Sequence, residues 1–145
     1  KKIKDAHPEI KLATGEMIQN KVMFKQFIEN KSLDYCQIDS CRIASVNEII
    51  PVLLMASKHN IPVIPHAGGV GLCEYVQHLN LINKFIITKN DLSLSEYAES
   101  CSEHFENPAI IKNGGYVTPT EPGYSVRIKE NSLKEFDFNS GSYWN

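Results

Sequence analysis

Four ionisable residues, each close behind a short apolar run, recur at near-regular intervals along this chain. Glu16 follows IKLATG, Asp39 follows YCQI, His66 follows IPVIP and Glu96 follows the weaker LSLS run, with spacings of 23, 27 and 30 residues. One strand, one helix and two loops take up such an interval. The pattern therefore reads as successive βα units, each presenting one chemical group at the C-terminal end of a strand, which is how a (β/α) barrel assembles an active site. A closed barrel needs eight units and typically about 250 residues. About four units can be counted in these 145 residues, so an α/β half barrel is expected. The sequence opens at Lys1 rather than at methionine, with about a dozen residues ahead of the first strand end, and the expectation is a piece of a longer protein.

Composition narrows the partner. With 42% hydrophobic and 22% charged residues the chain can bury a core, and a formal net charge of -2 leaves no basic footprint for nucleic acid. The longest apolar run, Pro51 to Ala56, is far short of a bilayer span, and no signal-peptide pattern opens the chain, so no membrane partner is expected. A small molecule remains. Cys36, Cys41, Cys73 and Cys101 lack zinc-like or CxxC spacing and read as free buried thiols in a reducing, intracellular compartment.

The local pattern fills in the units. Residues 20–30 carry apolar positions at helical spacing, and Ser45 with Glu48 forms a capping-box signature ahead of a second apolar helix containing Pro51. A third helix is expected from Leu72 to about Leu81, strand character over Phe85–Thr88, an ambiguous stretch at Asp91–Ser95 and a helical look from Glu96 to Phe105. From 107 onward, prolines and glycine clusters predict an irregular tail. The expected division is a half barrel at 1–106 and, at 107–145, a tail packing on the barrel or on a capping domain.

AlaThrGlyGlu at 13–16, GlnIleAspSerCysArg at 37–42 and ProHisAlaGlyGlyValGlyLeuCysGlu at 65–74 resemble the enolase superfamily. The subgroup they resemble is the mandelate racemase-like one, and within it the L-fuconate dehydratases. TyrValGlnHisLeu at 75–79, GluHisPhe at 103–105 and ProGlyTyrSer at 122–125 extend the similarity across nearly the whole chain. The resemblance implies the C-terminal half of a modified TIM barrel, entered at the fifth strand. It further implies that Glu16 is one of three carboxylates on one Mg²⁺, an ion that prefers hard oxygen ligands and would stabilise the enediolate formed when an acid sugar loses its α-proton.

By the same resemblance Asp39 and His66 form a catalytic dyad. Asp39 would fix the imidazole tautomer, and His66 would protonate the departing hydroxyl and later return a proton to the enol product. Glu96 matches a glutamate that contacts substrate or buttresses the dyad, and Ala67 and Gly68 would let substrate oxygens approach backbone amides. Substrate-binding positions are thus Glu16, His66, Ala67, Gly68 and Glu96. The residues alone leave each open to a plainer reading: Glu16 a solvated strand end, His66 a structural histidine, Glu96 a helix-surface glutamate, the glycines a tight turn.

The implied reaction is Mg²⁺-dependent dehydration of L-fuconate to 2-keto-3-deoxy-L-fuconate in the full-length protein, expected to be a homo-oligomer. Two further metal carboxylates and a LysXLys base, both on earlier strands, and a capping domain belong to the family pattern and are expected outside this segment. Two alternatives stand: an inactive fragment or isoform serving as an interaction module, or a dehydratase or racemase for another acid sugar.

Overall fold

The computed structural model describes residues 1–89, 93–98 and 100–144. A short helix, α1 (Lys2–Ala6), precedes β1 (Ala13–Thr14), which pairs in parallel with β2 (Tyr35–Cys36) in the register Ala13 to Tyr35 and Thr14 to Cys36. The ladder runs beyond these two-residue strands. Gln37 N–H donates to Thr14 O, Cys36 N–H to Pro62 O, Ile64 N–H to Cys36 O and His66 N–H to Ile38 O, each at 2.9 Å. Three extended segments ending at Glu16, Asp39 and His66 thus lie side by side, with a parallel bridge between Cys36 and Val63.

Parallel neighbours need crossovers, and helices supply them. Between the first two segments runs α2 (Lys21–Glu29), between the second and third α3 (Val46–Lys58), and after the third α4 (Leu72–Ile82). Phe24 and Ile28 of α2 and Ile49, Val52, Leu53 and Ala56 of α3 pack with Cys36, Ile38 and Val63 of the sheet in one buried cluster. A second cluster joins Leu72, Cys73 and Val76 of α4 to Ala67. This is the α/β half barrel that the βα rhythm predicts.

Several local expectations are corrected. Asn20 caps α2 as the pattern requires, its Oδ1 accepting from Met23 N–H at 3.0 Å, but Ser45 makes no side-chain cap on α3. Glu48 turns instead to the neighbouring helix, taking Lys21 N–H at 3.0 Å and Lys21 Nζ at 2.6 Å. It therefore satisfies one of the open amides of the α2 N-terminus rather than its own, and Lys21 holds its carboxyl below the usual range. Pro51 lies inside α3 without displacing its start.

Phe85–Thr88 is not strand. It belongs to a π-helical continuation of α4 over Asn83–Thr88. The helical look of 96–105 reduces to a 3-10 turn at Ser102–His104, while Asp91 and its neighbours 90 and 92, with Glu99, lie outside the described residues. Within the tail stand a hairpin of β3 (Ile111–Lys112) and β4 (Gly115–Tyr116) and a last helix, α5 (Glu130–Phe136). All four cysteines are free, but only Cys36 and Cys73 are buried; Cys41 and Cys101 are exposed. Burial pushes the Cys36 thiol up to about 12, which makes it a packing residue. No helix among the described residues is long and apolar enough to cross a membrane.

Gly15 sets the exit of β1. Its φ of +147° is rarely open to other residues, and a Cβ there would meet Gln37 O at 2.5 Å and Phe24 Cε1 at 3.0 Å. A Gly15→Ala substitution is expected to destabilise the fold by about 2 kcal/mol or more, since backbone on the neighbouring strand must yield. Thermal melting of the variant beside its parent checks this; an unchanged melting temperature would show that the strand exit relaxes freely.

Candidate active site

The parallel ladder brings Glu16, Asp39 and His66 to one rim of the sheet, and the irregular segment Ser93–Ala98 adds Glu96 to it. His66 is the centre. Its backbone N–H is held by Ile38 O, so the ring stands beside the end of the Asp39 strand. Nδ1 lies 2.8 Å from Glu96 Oε2 and 3.4 Å from Glu16 Oε2. The same Glu96 oxygen accepts Ala67 N–H at 2.8 Å.

An ionised carboxylate has no hydrogen to give, so the proton of the Nδ1 contact belongs to the imidazole. Glu96 therefore holds the ring in one tautomer and one orientation, and Nε2 is the nitrogen that this bond leaves over. The positions predicted to converge do converge, with one change of partner. The hydrogen bond expected between Asp39 and His66 is not the one formed, because Nδ1 is taken by Glu96. Asp39 Oδ1 accepts Cys41 N–H at 2.8 Å, and Arg42 Nε lies 3.8 Å from Oδ2, so this carboxylate closes its own turn. Asp39 is nevertheless only 6% exposed. Its carboxyl stands one residue past Ile38, whose carbonyl holds the His66 amide.

Gly68 has a reason that the sequence did not reveal. A Cβ there would stand 2.6 Å from His66 Cε1 and 2.9 Å from Nε2, so the imidazole occupies the space a side chain would need. Ala67 is fully buried and lends its amide to Glu96, not to open space.

Glu16 offers a hard oxygen ligand of the kind Mg²⁺ prefers, and its side chain is 55% exposed at the rim. No group of three or more ligand side chains able to hold a metal gathers among the described residues. The chemistry of Glu16 fits one ligand of such an ion, and the described residues place no two further ligands beside it. Enzymes of the enolase superfamily use Mg²⁺.

Known proteins share this sequence and fold. The model of the enolase C-terminal domain-like family matches residues 1–132. Mitochondrial enolase superfamily member 1 of Xenopus laevis is 52% identical over 136 residues, covering 93% of this chain and 31% of the relative. L-galactonate dehydratase of Hypocrea jecorina is 50% identical over 129 residues, covering 89% and 28%. The crystal structure of human Mitochondrial enolase superfamily member 1 superposes with a TM-score of 0.92 at 46% identity, covering 98% of this chain and 33% of that one. The chain spans about a third of the length of these relatives. With its TIM-barrel-like half sheet and the family motifs at its rim, it belongs to the enolase C-terminal domain-like family.

Proposed function

We propose that this chain is the acid-bearing part of a Mg²⁺-dependent acid-sugar dehydratase, a hydro-lyase that in its full-length form converts L-fuconate to 2-keto-3-deoxy-L-fuconate and water. The observation that carries the reading is the imidazole of His66 clamped at Nδ1 by Glu96, beside buried Asp39, at the strand ends. That arrangement leaves Nε2 to protonate a departing hydroxyl, which leaves as water. The same nitrogen, recharged, returns a proton when the enol product becomes the keto acid. Asp39 and Glu96 stabilise the imidazolium between those events. Glu16 would hold the metal together with two carboxylates from outside this segment, and the ion supplies positive charge for the substrate carboxylate as its α-proton is removed. A LysXLys base outside this segment takes that proton. The reading includes a homo-oligomeric full-length protein.

A second substrate has a specific claim. One relative is named L-galactonate dehydratase, and L-fuconate is 6-deoxy-L-galactonate, so the reacting carbons have the same configuration. Comparing kcat/KM for the two acids on the full-length protein decides between them. A higher value for L-galactonate would replace L-fuconate, and no turnover of either would remove both as substrates.

The acid role predicts that His66→Asn in the full-length protein lowers kcat by about 10²- to 10⁴-fold while metal binding is kept. Isothermal titration with Mg²⁺ and a keto-acid assay measure both. Substantial retained turnover would take His66 out of the mechanism. Asp39→Asn is expected to lower kcat by about 10-fold with KM little changed, since it removes a field that matters most when the imidazole is charged; steady-state kinetics with an unchanged kcat would leave Asp39 only its turn.

The 145 residues alone are expected to bind Mg²⁺ weakly and to yield no keto acid, because one exposed carboxylate cannot offset the dehydration of Mg²⁺. Calorimetry and the same assay on the isolated chain test this. Micromolar binding or measurable product would show that the outside ligands and base are not required.

A further inference from the structure

Glu96 is the only expected site residue that does not stand at the end of a described ladder strand, yet its carboxylate makes the shortest contact with the His66 ring. Something else must hold it. The Tyr116 hydroxyl, at the end of the tail hairpin, donates to Glu96 O at 2.7 Å. Either side of that point, Asn80 Nδ2 bonds Ser95 Oγ, and Cys73 Sγ lies 3.3 Å from Ala98 O. Both Asn80 and Cys73 belong to α4, so the segment is fastened to that helix at its flanks and to the hairpin at its centre.

The hairpin is itself anchored. Glu74, 2% exposed, accepts Ala109 N–H at 3.1 Å just before β3. Tyr116 packs against the Ala67, Leu72, Cys73 and Val76 cluster and meets the Tyr97 ring edge-on at 5.9 Å. Asn113 and Gly114, both at positive φ, close the turn and fix where β4 delivers the phenol. Burial, with Cys73 beside it, pushes the Tyr116 hydroxyl well above the usual phenol range, so it keeps the proton that it donates.

We propose that Tyr116 is a positioning residue for the active site: it pins the backbone of Glu96 from behind, so that the carboxylate in front can hold His66 Nδ1 and Ala67 N–H together. Tail and acid group then form one chain of contacts, Glu74 to Ala109 to the hairpin to Tyr116 to Glu96 to His66. The consequence for rate rests on the dehydratase reading above. The consequence for geometry does not.

The test is Tyr116→Phe in the full-length protein, which deletes one hydroxyl and keeps the ring contacts. Expected is a fall in kcat of about 10-fold with KM and melting temperature little changed, because a displaced Glu96 mis-aims the imidazole. In a Glu96→Gln background the same substitution should cost almost nothing more, since the two act in one line. Independently of activity, the Ala67 amide should exchange with deuterium about 10-fold faster while the amides of α3 stay protected. Unchanged Ala67 exchange, or a fully additive double variant, overturns the proposal. Loss of α3 protection along with Ala67 would make Tyr116 a general stabilising contact and overturn it as well. A parent protein inactive on every acid sugar sinks the dehydratase reading alone, and the exchange at Ala67 still decides the positioning role.

Discussion

The hydrogen bonds from Gln37 N–H to Thr14 O, His66 N–H to Ile38 O and Cys36 N–H to Pro62 O decide what the rim can do. Side chains on a strand alternate faces, so a slip of one residue in this ladder would send Cys36 and Ile38 out of the core and the rim groups to the wrong place. The register is protected by burial. Cys36 and Ile38 are essentially inaccessible, and Phe24, Val52 and Leu53 close over them from α2 and α3. Those helices are tied to each other by Lys21 and Glu48 at the same end of the sheet. Packing thus fixes the register, and the register fixes which charges meet.

What they form is an excess of acceptors around one donor. Nδ1 of His66 has a carboxylate oxygen at 2.8 Å and another at 3.4 Å, with Asp39 buried on the adjoining strand end. Crowded carboxylates repel unless cations or N–H groups separate them. Glu96 resolves this with two donors on one oxygen, and Asp39 with the Cys41 amide and Arg42. Glu16 does not. It has the longer contact and the greater exposure, and so remains the carboxylate most available to a cation.

The sequence made the ladder legible because strand ends and helices announce themselves through apolar periodicity, and β1, β2, α2, α3 and α4 fall where that periodicity puts them. Motifs carried Glu16, Asp39, His66 and Gly68 to one rim. What was hidden is contact made at a distance along the chain. Glu48 sits at the capping-box position of its own helix, yet Lys21, 27 residues earlier, claims it. Phe85–Thr88 is apolar enough for a strand, but α4 runs straight into it with i→i+5 bonding, which no short apolar run can signal. Glu96 was expected to contact substrate or buttress the dyad, but its direct bond to His66 was hidden for the same reason, since Asp39 precedes His66 in strand order whereas Glu96 reaches it from an irregular segment. One local signal was available: AsnGly at 113–114 is a hairpin turn sequence in a tail that otherwise reads as irregular.

The division of labour along this chain follows from where its contacts close. The described residues supply the Ile38 carbonyl beneath His66, Glu96 beside it, Gly68 leaving room for it, and the hairpin behind Glu96. The orientation of the imidazole is therefore set by contacts inside this segment. Glu16 is the opposite case, an exposed carboxylate that on the dehydratase proposal becomes a metal ligand only with groups supplied from elsewhere. Proton donation and proton removal in a dehydration act on adjacent substrate carbons, and a barrel can assign them to different strands because each group hangs from its own strand end. On the dehydratase proposal a segment of this kind orients the donor while the base lies elsewhere, because orientation is a local property of packing and hydrogen bonds, and turnover is not.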